Sequence, residues 1–158
     1  MKDSINIAIA GATGYVGIQL LKILLNHPKA KIVYLCAQKS VGKKINSFDK
    51  NIRVKLPTIS SVKKIKWNKI DVIFTALPNG EAQKIAAKIP INKKLIDLSG
   101  DFRLNDHKQY KKWYGKNFQN KKLINNSVYS VTEFAKKIIK KKSIISCPGC
   151  YPTSIQLP

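Results

Sequence analysis

The sequence predicts an α/β fold with a doubly wound, mostly parallel sheet, and three observations support this class. Apolar runs without polar alternation, typical of parallel strands covered on both faces, alternate with stretches of helical period. Turn residues bound each run, as repeated strand–helix–strand units require. A glycine-rich turn joins the first apolar run to the first helical stretch. Together these features indicate a Rossmann-type arrangement.

The elements can be placed in chain order. INIAIAG at 5–11 indicates a buried strand, and YVGIQLLKILLNHP at 15–28 indicates a helix that ends at Pro28. The helical period places Val16, Leu20, Ile23 and Leu24 on its buried face. After a lysine-rich connection, the same patterns predict strands at 31–37, 71–77, 94–99 and 143–146, an extended piece at 126–130, and helices near 80–89, 106–114 and 132–141.

The charge is high and almost entirely lysine. The chain of 158 residues, enough for one domain and its core, has a formal net charge of +22 from 30 basic and 8 acidic residues. Only Arg53 and Arg103 are arginine, the residue best suited to bidentate recognition of bases and phosphates. We interpret the lysines as solvated surface that attracts small anions; a groove for nucleic acid is the alternative.

The termini and cysteines bear on location. The first residues show no signal-peptide pattern, and no apolar stretch approaches the length of a membrane span. Three cysteines, an odd number, suit reduced thiols. We expect a soluble cytoplasmic protein without a membrane partner.

The motif GATGYVG places Gly11, Gly14 and Gly17 between the first strand and the first helix. Glycines there let the backbone approach a pyrophosphate, and the helix amino terminus stabilises its charge. The spacing matches the usual dinucleotide fingerprint only loosely. We predict dinucleotide binding; a turn that needs small residues for packing is the alternative.

The second strand indicates which dinucleotide is bound. NAD enzymes usually carry an acid there to hold the ribose hydroxyl, but this chain has Gln38, Lys39 and Ser40. A cation and a hydroxyl suit a 2′-phosphate, so we predict NADP. The alternative is that Lys39 is one more solvated lysine.

The motif CPGC near the end of the chain has three interpretations. A redox pair is disfavoured by its position at the far end of the domain, and zinc would need two further ligands at matching spacing. The third interpretation is a single nucleophile at Cys150, because Pro148 and Gly149 form a turn and a helix starting at Cys150 would favour a thiolate there. Cys147 is then a small buried residue.

Four motifs, GATGYVG, LPNG, IDLSGDFRL and CPGCYPT, occur in an order and at a spacing that resemble N-acetyl-γ-glutamyl-phosphate reductases, relatives of the aspartate-semialdehyde dehydrogenases, over the whole chain. The resemblance implies that Cys150 is the nucleophile; the family usually has asparagine where Cys147 stands, and histidine is common in place of Asn79. It also implies contacts to NADP from Gly11, Thr13, Gly14, Tyr15, Val16, Lys39, Ser40, Leu77 and Pro78, and to substrate from Ser99, Asp101 and Arg103.

The implied reaction is the NADPH-dependent reduction of a small acyl phosphate through a cysteine thioester, in arginine biosynthesis, with no metal and no nucleic acid. For Arg103 the alternative is a structural ion pair with Asp101 or Asp106. Other functions left open are aspartate-semialdehyde dehydrogenase, a carrier-linked acyl-phosphate reductase, a non-catalytic NADP sensor, and a nucleic-acid binder that explains only the charge.

The resemblance also implies a second domain, which supplies the acid/base histidine and the interface of a homo-oligomer. We therefore expect residues 1–149 to form the NADP-binding domain and residues 150–158 to begin a catalytic and dimerisation domain that is largely absent. We expect the chain of residues 1–158 alone to lack turnover. His107 matches no catalytic position and is predicted to lie on the surface.

Overall fold

The computed structural model describes residues 4–118 and 120–157. It divides into two compact units, Met1–Ala76 and Leu77–Pro158. The first contains β1 (Ile5–Ala10), α1 (Tyr15–Leu25), β2 (Ala30–Cys36) and β3 (Val72–Thr75); the second contains α2 (Glu81–Ala86), β4 (Lys94–Asp97), α3 (His107–Tyr114), α4 (Lys122–Asn125), β5 (Ser127–Tyr129), α5 (Thr132–Lys141), β6 (Ile144–Ser146) and α6 (Cys150–Gln156).

The first unit is built on β1, which pairs in parallel with β2 on one side and β3 on the other. Four consecutive residues of β1, from Ile7 to Ala10, are buried because both strand faces are covered. Its core continues through the long segment after β2, where three short 3₁₀ turns form and Ile45, Ile52 and Ile59 are buried. The sequence had indicated only a connection there.

Helix α1 packs through a face that matches the predicted one only in part: Leu24 is buried as predicted, and Leu20 is partly buried against the core. Gly17, Leu21 and Leu24 are buried, whereas Val16 and Ile23 are 49% and 68% exposed. A Cβ atom on Gly17 would lie 2.1 Å from the carbonyl oxygen of Gly11. Because only glycine fits so close to the preceding turn, the position of Gly17 fixes the rotation of the helix.

The second unit also has three parallel strands, in the order β4-β6-β5. Its helix α3 begins after Asp106, whose carboxylate accepts hydrogen bonds from the amide groups of Lys108 (2.6 Å) and Gln109 (3.3 Å). The rings of Phe102, Tyr110 and Phe118 pack edge to face with centroids 5.4–5.6 Å apart, and all three side chains are buried.

The predicted α/β class, with parallel strands and Rossmann-like strand–helix alternation, is confirmed. Each predicted strand and helix is present, with ends shifted by a few residues. Among residues 4–118 and 120–157, none of the helices combines the length and the apolar character needed to cross a lipid bilayer.

Gly17→Ala should destabilise the protein by about 1–3 kcal/mol, because the new methyl group meets three backbone atoms of Gly11 and Ala12 that cannot move independently of β1 and α1. Gly14→Ala is the matched control: its Cβ would lie 3.5 Å from the nearest atom, so we expect a loss of about 1 kcal/mol or less. Urea unfolding measures both. Equal losses would show that the close approach at Gly17 is unimportant.

Candidate functional site

The glycine turn is held by the end of the neighbouring strand. The amide groups of Gly11 and Ala12 both donate to the carbonyl oxygen of Cys36, at 2.9 and 3.1 Å, and the amide of Gly14 donates to Gly11 at 3.2 Å. Because Cys36 is the last residue of β2, the turn is attached to two adjacent strands. Its shape is therefore set before any ligand binds.

The amino terminus of α1 can accept an anion. Gly14 is the N-cap and supplies no side-chain acceptor, and the first turn contains no acidic residue. The first amide groups of a helix have no partner within the helix, and the helix dipole favours negative charge there. Thr13 is half-buried, while Gly14, Tyr15 and Val16 are exposed around these amides. The turn therefore fits the pyrophosphate of a dinucleotide.

After β2 the two predicted contacts differ in accessibility. Lys39 is exposed, whereas Ser40 is only 9% exposed and its carbonyl oxygen accepts a hydrogen bond from the amide of Lys43. No acidic residue stands between Cys36 and Lys44. Of the two, the Lys39 ammonium is the group that a phosphate could reach from solvent.

In the second unit, the turn before α2 is supported by a distant carboxylate. Leu77 is half-buried and Pro78 is exposed. Gly80 is the N-cap of α2 and has no side chain to cap it. Instead, the two oxygens of Asp101 accept hydrogen bonds from the amides of Gly80 (2.6 Å) and Gln83 (3.1 Å).

Asp101 is fully buried, and the hydroxyl group of Tyr110 also donates to it at 2.7 Å. Burial, reinforced by this bond to a carboxylate, raises the pKa of Tyr110, so its hydroxyl stays protonated and keeps donating. Asp101, which was predicted to contact substrate, therefore links the turn before α2 to helix α3 through buried hydrogen bonds. Tyr110 was missed by sequence reasoning, because its aromatic pattern indicates only core.

A second buried carboxylate, Asp97, ends β4 and shapes the loop that follows. It accepts hydrogen bonds from the hydroxyl group of Ser99, from the amide of Ser99 at 3.0 Å and from the amide of Gly100 at 3.2 Å. The backbone carbonyl oxygen of Asp97 accepts a hydrogen bond from the amide of Cys147 at 2.8 Å. Asp97 was also missed, although an acid at the carboxyl end of an apolar strand was an available signal.

The side chain of Arg103 lies against the cysteine turn. Its Nε donates to the carbonyl oxygen of Cys147 at 3.0 Å, and Nη2 donates to that of Leu98 at 3.3 Å. The predicted alternative, an ion pair with Asp101 or Asp106, is wrong, since the ion pairs between described residues are Lys22–Asp49 and Lys84–Glu81 and neither involves Arg103. The guanidinium instead contacts the backbone.

The two cysteines of the CPGC motif differ in environment. Cys150 is exposed and is the first residue of α6, as predicted; Gly149 is the N-cap, and no acidic residue lies in the first turn. Cys147 is partly buried, and burial, assisted by the charge of Asp97, raises the pKa of its thiol to about 11. At neutral pH Cys147 is therefore a neutral thiol, and Cys150 is the accessible sulfur of the pair.

The remaining candidate ligands lie apart. Cys36 is buried in β2 with its sulfur 3.7 Å from the hydroxyl group of Ser60, and His27 and His107 are exposed. Within the part of the chain that the structure describes, His, Cys, Asp and Glu form no group of three or more that could hold a metal ion.

Comparisons with known proteins show the family of this chain. Residues 6–142 match the family model described as semialdehyde dehydrogenase, NAD binding domain. Over 160 residues the chain is 45% identical to N-acetyl-gamma-glutamyl-phosphate reductase of Ehrlichia canis, covering 100% of this chain and 46% of that protein. It is 46% identical over 154 residues to the Clostridium botulinum protein of the same name, covering 97% and 45%. The chain thus spans about half the length of the curated relatives it matches.

Solved structures are similar in fold. Aspartate semialdehyde dehydrogenase II of Vibrio cholerae superposes with a TM-score of 0.67 at 20% identity, covering 98% of this chain and 45% of that one. The Candida albicans aspartate semialdehyde dehydrogenase, whose structure contains NADP, superposes with a TM-score of 0.62 at 18% identity, covering 96% and 44%. At these identities the likeness concerns the fold alone.

Tyr110→Phe should lower the free energy of unfolding by about 1.5–3 kcal/mol, because it removes a hydrogen bond to the buried carboxylate of Asp101. Asp101→Asn should lower the free energy of unfolding at least as much. The NH₂ group of the new side chain would face the backbone N–H groups of Gly80 or Gln83, which are also donors. Tyr114→Phe, which removes a hydroxyl from the neighbouring ring, is the control and should cost less than about 0.5 kcal/mol. Similar losses for Tyr110→Phe and Tyr114→Phe in urea unfolding would contradict this account.

Proposed function

The chain belongs to the semialdehyde dehydrogenase family through its NAD-binding domain, and we propose that the protein reduces N-acetyl-γ-glutamyl phosphate to N-acetylglutamate 5-semialdehyde with NADPH. Relatives at 39–46% identity over nearly the whole chain carry the name of that reductase. The single observation that carries the mechanism is the exposed Cys150 at the first position of α6. This reaction belongs to arginine biosynthesis, and we propose a cytoplasmic enzyme.

Cys150 acts as the nucleophile. Its thiolate attacks the acyl carbon, the carbon–sulfur bond forms, the bond from carbon to the phosphate oxygen breaks, and inorganic phosphate leaves a thioester behind. Cys150 stands at the first position of α6, where the first amide groups have no partner within the helix. NADPH, when bound, supplies the hydride that converts the thioester to the aldehyde and returns the thiolate.

The groups proposed to hold the cofactor follow from the turns described above. The amide groups around Gly14 bind the pyrophosphate, and Lys39, exposed after β2, binds the 2′-phosphate with Ser40 beside it. The presence of NADP in the similarly folded Candida albicans enzyme supports this choice of dinucleotide. The full set proposed for the cofactor is Gly11, Thr13, Gly14, Tyr15, Val16, Lys39, Ser40, Leu77 and Pro78.

The segment Ser99–Arg103 is proposed to border the acyl-phosphate substrate. Ser99 and Arg103 are partly exposed, and Arg103 has N–H groups beyond the two that bond to carbonyl oxygens. Asp101 is fully buried with both oxygens in hydrogen bonds. We therefore assign Asp101 the support of this segment in place of the predicted contact with substrate.

We further propose that residues 1–149 form the NADP-binding domain, that Cys150 begins the catalytic and dimerisation domain, and that the natural enzyme is a homo-oligomer. The curated relatives are about twice as long as the part of them that this chain matches. The general acid/base of the reaction is assigned to the remainder of such a protein.

Cys150→Ser should abolish turnover in the natural protein, lowering kcat by at least about 10³-fold because a serine hydroxyl is not activated by the same surroundings. The assay follows NADPH oxidation and phosphate release with N-acetyl-γ-glutamyl phosphate, and with aspartyl phosphate as the competing substrate. Cys147→Ala is the control and should retain activity. Full activity of Cys150→Ser would contradict the proposed mechanism. A preference for aspartyl phosphate would show that the proposed substrate is wrong.

Lys39→Ala should raise the KM for NADPH about fivefold and leave the KM for NADH unchanged, because one exposed ion pair to the 2′-phosphate is lost. Lys43→Ala removes an equal charge from the same exposed segment and is the matched control. Steady-state kinetics with both dinucleotides measure the effect. Equal changes for the two lysines would mean that only the general positive field contributes.

A further inference from the structure

The Arg103 guanidinium joins the carboxyl ends of two adjacent strands. Asp97 of β4 and Ser146 of β6 are paired in register. Leu98 and Cys147, the residues that follow this pair, both direct carbonyl oxygens to Arg103, at 3.3 and 3.0 Å. The amide of Cys147 is bonded back to the carbonyl oxygen of Asp97 at 2.8 Å. Cys147, the first residue of the cysteine turn, is therefore held at its carbonyl oxygen by Arg103 and at its amide by Asp97.

Two glycines leave room for the guanidinium. A Cβ atom on Gly100 would lie 3.3 Å from Nε of Arg103, and one on Gly149 would lie 3.2 Å from Nη1. Gly100 also has a φ of +104°, which a residue with a side chain adopts only with strain. Gly149 is the N-cap of α6 and directly precedes Cys150. The guanidinium thus packs against the last backbone unit before the nucleophile.

The bonds of Arg103 have a planar geometry that a lysine at position 103 would not share. Both carbonyl oxygens are reached by separate N–H groups of one rigid plane, whereas a lysine ammonium is a compact charge on a flexible stem. Within the described residues, the two hydrogen bonds of this side chain both go to backbone acceptors and none goes to a carboxylate. Its planar shape, and not its charge alone, is therefore used.

We propose that Arg103 is a positioning residue for Cys150: it fixes the backbone from Cys147 to Gly149 so that the thiol is held at the start of α6. This inference rests on the proposed function, because it assumes that Cys150 is the nucleophile. It adds to the substrate contact proposed above, because it uses the two N–H groups of Arg103 that bond to backbone carbonyl oxygens. A misplaced thiolate lowers the rate of the chemical step more than it weakens substrate binding.

The test uses Arg103→Lys and Arg103→Ala in the natural protein. We expect kcat to fall about tenfold to hundredfold, in addition to any rise in the KM for the acyl phosphate that follows from losing the substrate contact of the same side chain. Added guanidinium ion should restore part of the kcat of Arg103→Ala and none of that of Arg103→Lys. Alkylation of Cys150 by iodoacetamide, followed by peptide mass spectrometry, should be slower by about threefold or more in both variants.

Gly149→Ala provides a second variant if the arginine variants fail to fold. Its methyl group would press on Nη1, so kcat and the alkylation rate should fall in the same direction by a smaller factor. Folded variants that alkylate at the normal rate, or that raise KM with kcat unchanged, overturn the positioning role. The alkylation rate is independent of turnover, so the two hypotheses can be separated. Normal alkylation of Cys150 in the Arg103 variants, together with an inactive Cys150→Ser protein, contradicts the positioning role alone. An active Cys150→Ser protein contradicts the proposed function.

Discussion

Parallel strand pairing is the constraint on which the arrangement of functional groups depends. Within each unit the strands run in one direction, so the segments that follow them emerge at one edge. In the first unit this edge carries the glycine turn after β1 and Lys39 after β2; in the second it carries the Ser99–Arg103 segment after β4 and the cysteine turn after β6. Chemistry-bearing residues far apart in sequence become neighbours without any local signal.

Backbone N–H groups in the turns that follow the strands form hydrogen bonds with residues from elsewhere in the chain. The capping of α2 shows this, because its N-cap is a glycine and the acceptor comes from Asp101, 21 residues after Gly80. Helix α3, by contrast, is capped by its own preceding Asp106. The second kind of cap is visible in a sequence, since it lies next to a helical pattern. The first kind depends on how the chain folds back, so sequence reasoning could assign Asp101 only by resemblance.

The same distinction explains what else could be predicted. Strand and helix positions, the helix start at Cys150 and the exposure of Lys39 followed from local patterns. The buried face of α1 followed only in part, because hydrophobic period alone cannot show that Gly17 must meet the carbonyl oxygen of Gly11. Nor could the partners of Arg103 be predicted, since a backbone carbonyl leaves no mark in the sequence. Predictions from the sequence therefore fail where backbone atoms of residues far apart in the sequence are in contact.

The contrast between the two arginines connects composition with chemistry. A net charge of +22, almost all from lysine, produces a field that attracts any small anion. Such a field does not orient a ligand, because most of its ammonium groups are exposed on flexible stems. Arg53 is exposed like the lysines, whereas Arg103 is partly buried between two glycines and bonded to two carbonyl oxygens. The field attracts small anions without orienting them, whereas the two hydrogen bonds of Arg103 hold the backbone at the start of the cysteine turn.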